Sequence, residues 1–176
     1  MVQYAKCRKA VDRFLKSGRI GSIGHISCID RRPLASQEAV GTAHYARVGA
    51  SQLAALCELL DRSPMLVTAR TREEAGAASL QVFLQLDEQT RVHYFATFDA
   101  APAEHQLWIE GSDGSLQTNG NSVWWRKRGW PKFIPTRIGL LSARSEMPAA
   151  DPVGDSLTAA IVDSISRQET VGLANA

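Results

Sequence analysis

Hydrophobic positions along the chain switch between a helical and a two-residue period, and the switches mark its elements. From Tyr4 to Lys16, Val11, Phe14 and Leu15 recur at helical spacing among charged residues, and Ser17-Gly18 has the chemistry of a helix C-cap. Ile23 to Ile29 alternates with period two and ends in the charged run Asp30, Arg31, Arg32 before Pro33, which predicts a strand. The polar stretch from Pro33 to Thr42 reads as a loop. A second helix is predicted from about His44 to Leu60, with Val48, Leu53, Leu56, Leu59 and Leu60 on its apolar side and Ser63-Pro64 ending it. Strands then follow at Met65 to Arg72, Ser79 to Asp87, Arg91 to Phe98, His105 to Glu110, Ser115 to Thr118 and Ser122 to Lys127, separated by turn-like segments. Links this short predict antiparallel hairpins between successive strands. A third helix is predicted over Asp155 to Arg167, burying Leu157, Ile161, Val162 and Ile165.

These elements predict an α+β class: an open, mainly antiparallel β-sheet with helices on one face and the other face available for oligomerisation. The hairpin Ser79 to Phe98 carries the argument. One side collects Leu80, Val82, Leu84, Leu86, Val92, Tyr94, Ala96 and Phe98, a core composition. The other collects Gln81, Phe83, Gln85, His93, Phe95 and Thr97, which Trp108 and Trp124 could join. Large aromatics on a polar face point to a protein interface, and a symmetric homodimer or higher homo-oligomer is the expectation.

Composition narrows the function classes. A length of 176 residues with 44% hydrophobic content fits one domain, residues 1–176. A net charge of +2 from 20 basic and 18 acidic residues, with no long run of one sign, argues against nucleic acid and membrane surfaces as partners. No apolar stretch reaches the roughly 20 residues of a membrane span, and Met1 to Arg13 lacks a signal-peptide core. The three cysteines, Cys7, Cys28 and Cys57, are widely spaced and read as buried thiols, so a cytoplasmic setting is expected. Abundant Ala, with Arg preferred to Lys, fits a GC-rich bacterial genome.

Four fragments, in order, resemble the C-terminal domain of the Gfo/Idh/MocA oxidoreductases: Phe14 to Ile23 (FLKSGRIGSI), Leu59 to Ala69 (LLDRSPMLVTA), Trp108 to Leu116 (WIEGSDGSL) and Asp155 to Thr170. The resemblance implies an open sheet whose free face packs on another subunit and a helix side forming half of a pocket for sugars, cyclitols and related polyols. The family's dinucleotide-binding half begins with a strand, a Gly-x-Gly-x-x-Gly turn and a helix. This sequence has no such motif. Gly18 to Gly21 and Gly111 to Gly114 have the wrong spacing, and the family's Glu-Lys-Pro segment has no counterpart. The chain alone is therefore expected to bind no cofactor, with NAD(P) entering only if a Rossmann-domain partner protein supplies the nucleotide site. The family also often carries an Asp and a His on the second helix, and here Arg47 and Ser51 stand in those positions. A guanidinium stays protonated and an unassisted serine is a poor base, so the usual alcohol-to-ketone proton relay is not expected.

The residues left around such a pocket are His44, Tyr45 and Arg47 as candidate catalytic groups, with His25, Arg31, Arg32 and Ser51 as candidate substrate ligands. An imidazole, a phenol and fixed cations together suit an anionic or enolisable small molecule. The plainer alternative has His44 capping the helix, Arg47 in a surface ion pair and Tyr45 packed on the sheet. The four histidines are dispersed and lack zinc spacing, and Gly49 to Leu53 lacks the second glycine of a nucleophile elbow. The run Trp124 to Trp130 interleaves aromatics with bases, as single-strand nucleic-acid binders do, but fits a hairpin edge, interface or pocket rim better. Two function classes stay open. One is a binding and assembly module that supplies pocket and interface to a separate dinucleotide-binding subunit. The other is a cofactor-independent isomerase, lyase or cyclase of a bacterial biosynthetic pathway.

Overall fold

The computed structural model describes residues 7–33, 42–74, 77–99, 102–136 and 152–174. In chain order the elements are α1 (Arg8–Lys16), β1 (Ile23–Pro33), α2 (Thr42–Leu60), β2 (Leu66–Glu74), β3 (Ala77–Gln85), β4 (Arg91–Asp99), β5 (Glu104–Gly111), β6 (Gly114–Thr118), β7 (Val123–Lys127), β8 (Ile134–Thr136) and α3 (Pro152–Ala174). The α+β class holds. Residues 4–6 of the predicted first helix and 34–41 of the predicted loop lie outside the described residues.

The strands form one sheet in the order β2-β3-β4-β1-β5-β6-β7-β8. Its pairs are antiparallel except β1 with β4, which run parallel. The sequence reading erred here: β4 and β5, joined by a short link, are not a hairpin, because β1 lies between them and pairs with both. The link must step over one strand, about 10 Å, which a few extended residues cover. The insertion satisfies both backbone edges of a long strand whose inward side chains Ile26, Cys28 and Asp30 are buried. β1 also runs four residues past its predicted end, and β8 was not anticipated.

All three helices cover one face. α1 ends as its sequence requires: the Ser17 hydroxyl donates to the Phe14 carbonyl at 2.6 Å, and Gly18 takes φ +70° just beyond. Its Phe14 ring lies 5.3 Å from that of Trp125 on β7. α2 approaches the sheet closely because its inward positions are small: Ala46, Ala50 and Ala54 are buried. A Cβ at Gly49 would lie 2.7 Å from Leu80 Cδ2 and 3.2 Å from Tyr94 Cε1, so glycine sets that distance. Val48, Leu59 and Leu60, which periodicity placed on the apolar stripe, are only partly buried. α3 buries Leu157, Ile161 and Ile165 and shields the β2 edge, where the Ala69 amide donates to the Ser164 hydroxyl at 2.8 Å. The predicted core side of β3 and β4 is buried throughout.

Candidate functional site

The carboxyl end of β1 meets the start of α2 around a buried charge. Asp30, fully buried, points to the helix side between Ala96 of β4 and His105 of β5 in the strand register. Arg32 Nε donates to its Oδ2 at 2.7 Å, and the Tyr94 hydroxyl donates to the same oxygen at 3.3 Å. His105 Nδ1 lies 3.8 Å from Oδ1. Burial pushes the Asp30 carboxyl up, but the imidazole of His105 and the guanidinium of Arg32 outweigh it and hold the group below the usual carboxylate value. Burial, with the Asp30 charge beside it, pushes the Tyr94 phenol well above its usual value. The cluster is thus a fixed carboxylate with a neutral phenol, and its outlet is Arg32, whose side chain is 23% exposed.

From Arg32 the contacts lead to α2. Its register partner Phe98 packs on Tyr45 with ring centroids 4.5 Å apart, and His44 meets the Tyr45 ring edge-on at 6.2 Å. Tyr45 is buried, whereas His44, Arg47 and Ser51 are exposed. These three lie on one helical stripe, which continues to Glu58, paired with Arg8 of α1 at 2.9 Å. The structure therefore groups Arg32, His44, Tyr45, Arg47 and Ser51 on the helix side. It places His25 and Arg31 on the opposite face, since consecutive strand residues point to opposite sides. There Arg31 reaches Glu104 at 3.4 Å, and His25 stands in register with Arg91 and Glu110. Asp30, Tyr94 and His105 were missed as site residues. Alternation from Ile26 through Cys28 already put Asp30 inward; the chance to see this was lost by treating Asp30 to Arg32 as a strand exit.

The open face carries a transverse row Thr68, Phe83, His93, Ser27, Trp108, Gln117, Trp124 and Pro135 in register across the eight strands. Phe83 and His93 stack at 4.5 Å with rings nearly coplanar in orientation, and Trp108 meets Phe133 edge-on at 5.5 Å. Partial burial, then the charges of His25 and Arg70, lower the His93 imidazole below its usual value. Ile29 and Phe83 are each 44% exposed. No helix of the described residues lies over them.

Among the described residues no three His, Cys, Asp or Glu side chains are placed to hold a metal, and no helix is long and apolar enough to cross a membrane. A Cβ at Gly111 would lie 2.3 Å from the Ile20 carbonyl oxygen and one at Gly114 2.6 Å from that of Arg126, so both serve close packing of chain on chain.

No family model and no curated protein matches the sequence. Solved structures do match. An oxidoreductase from Sinorhizobium meliloti aligns with a TM-score of 0.60 at 16% identity over 93% of this chain and 60% of its own. Levoglucosan dehydrogenase, solved with NADH, gives 0.67 at 11% identity over 94% and 63%. Biliverdin reductase from Synechocystis, solved with biliverdin and NADP+, gives 0.63 at 14% over 92% and 58%. The fold is that of the C-terminal domain of Gfo/Idh/MocA-type oxidoreductases. The chain spans about half to two thirds of the length of the proteins it resembles.

Proposed function

We propose that this chain is a metabolite-binding and assembly module that supplies half of a pocket and an interface to a separate dinucleotide-binding subunit. The observation that carries the reading is the pair of uncovered surfaces on opposite sides of one sheet. The exposed stripe of His44, Arg47 and Ser51 and the partly exposed Arg32 lie on the helix side, and their cations favour a small polar or anionic metabolite. The opposite face exposes Ile29 and Phe83 among polar neighbours, a composition suited to self-association into a homodimer or larger homo-oligomer. Chemically, Arg47 and Ser51 can bind and orient but not relay a proton, so the module contributes recognition while hydride chemistry belongs to NAD(P) on the partner. A cytoplasmic setting is proposed with it, in keeping with the buried thiols Cys7, Cys28 and Cys57.

The exposed imidazole of His44 favours a second reading, a cofactor-independent isomerase, lyase or cyclase acting through that group. One experiment separates them: purify the tagged chain from its native host, identify stoichiometric partners by mass spectrometry, and titrate NADH into the isolated chain and the complex by fluorescence. A Rossmann-type partner and NADH binding only by the complex support the first reading. Self-associated chain alone overturns it, and turnover by that chain, abolished in His44→Ala, establishes the second. Phe83→Asp should reduce self-association measured by light scattering; an unchanged mass removes the open face as the interface.

A further inference from the structure

A groove of about 440 Å³ opens at the β5–β6 turn, at the far end of the sheet from the Asp30 cluster. His25, whose register row reaches this end, is five positions along β1 from Asp30, which at strand rise separates the two by roughly 16 Å. The groove is lined by the strand ends and the turn after β7, and none of the residues assigned to the α2 site is among its walls.

Its walls are Glu110, Ser115, Arg126, Arg128 and Trp130, with glycines between them. Register places Glu110 beside Ser115 and Ser115 beside Arg126 on three adjacent strands, so the carboxylate and guanidinium stems stand about 9–10 Å apart with a hydroxyl between. The two arginines and the tryptophan are held before any ligand arrives. Arg126 lies over the Phe133 ring at 4.8 Å. The Arg128 amide donates to the Asp113 carbonyl at 2.8 Å and its Nη1 to the Ser112 carbonyl at 2.9 Å, which leaves further donors of the guanidinium for a ligand. Gly129 takes φ +82° and turns the chain so that the Trp130 amide donates to the Lys127 carbonyl at 3.0 Å. The indole then lies 5.9 Å from Trp125 while remaining 45% exposed.

We propose that this groove is a binding site for a carboxylated sugar of the uronate class. Two guanidiniums and one carboxylate sum to a single positive charge, which matches a monoanion. A phosphate dianion would bring its second charge against Glu110, whereas the hydroxyls of a sugar need acceptors such as Glu110 and Ser115. The arginines suit bidentate capture of a carboxylate, and Trp130 offers an apolar surface to the C–H face of a sugar ring. The volume falls in the range of small-ligand sites. The site is independent of the function proposed above and would stand if that reading failed.

The test is calorimetric titration of the full chain at neutral pH with D-glucuronate, D-glucose and inorganic phosphate. Glucuronate should bind about tenfold more tightly than either other probe, and Arg128→Gln and Trp130→Ala should each weaken it by about tenfold, with Trp130→Phe retaining most of the affinity. Glu110→Gln should shift preference toward phosphate. In the unaltered chain, glucuronate should move the Trp130 indole N–H resonance and leave that of Trp108 in place, a readout that needs no variant. Phosphate binding as tightly as glucuronate, heat from none of the probes, or variants that bind like the parent would each overturn the proposal.

Discussion

Asp30→Ala tests whether the buried cluster organises the carboxyl end of β1. The carboxylate is fully buried, accepts from Arg32 at 2.7 Å and Tyr94 at 3.3 Å, and faces His105 at 3.8 Å. Breaking a buried pair from one side costs about 3–5 kcal/mol, and a buried hydroxyl left without its acceptor costs about 1–3 kcal/mol. Arg32 offsets part of this, because its side chain is 23% exposed and can turn to water. A loss of about 3 kcal/mol is expected in urea unfolding at neutral pH, a large share of a typical total of about 5–15 kcal/mol. Asp30→Asn keeps an acceptor and should lose about half as much. The folded carboxyl sits below its usual value of 3.8, so its contribution is complete above that pH and is lost as pH falls through the folded value. The difference between parent and Asp30→Ala should therefore be constant near neutrality and shrink below pH 3.8. A cost under about 1 kcal/mol, or a difference that does not change in acid, would refute the assigned network.

Gly49→Val should destabilise by about 2–3 kcal/mol, measured by urea midpoint, because even its Cβ would press on Leu80 and Tyr94 at 2.7 and 3.2 Å. Tyr94 gives an alkaline signature. Its folded value is raised, so its stabilisation is complete below the usual 10.0 and is lost as pH rises beyond it; Tyr94→Phe should flatten that alkaline decline while costing about 1 kcal/mol at neutrality. Arg31 and Arg32 should separate two functions: Arg32→Ala should weaken metabolite binding with little change in self-association by light scattering, and Arg31→Ala the reverse. Parallel effects of both would contradict their placement on opposite faces.

Much of the fold was legible because period and punctuation agreed. The alternation in β3 and β4 sorted every core residue correctly, and Ser17-Gly18 and Pro64 bounded helices where capping chemistry requires. What failed was non-local. Nothing in the short link after Asp99 reveals that a strand from far upstream lies between β4 and β5, because link length limits reach without choosing the neighbour. The α2 stripe was incomplete for a related reason: Leu53 and Leu56 are buried and Val48, Leu59 and Leu60 pack against the core, but large apolar residues weigh most in a periodic pattern and hid Ala46, Gly49 and Ala50, where the sheet comes close. The candidate site was half visible. His44, Arg47 and Ser51 share an exposed stripe, but His25 and Arg31 were grouped with them by proximity in sequence, although side-chain parity along β1 already sends Arg31 and Arg32 to opposite sides.

That parity makes β1 the element on which the proposed functions turn. Placed at the middle of the sheet, it presents Asp30 and Arg32 toward α2 and Ser27, Ile29 and Arg31 toward the open face. On the helix side Gly49 lets α2 approach Tyr94, and Asp30 anchors Arg32, whose register partner Phe98 packs on Tyr45. On the exposed side of α2, Arg47 and Ser51 offer charge and hydrogen bonds but no base. In the proposed module these two groups hold a ligand for a reaction completed by another subunit. In that reading the buried carboxylate acts through Arg32 as a positioning residue, because Asp30 is fully buried while the Arg32 side chain it holds is 23% exposed.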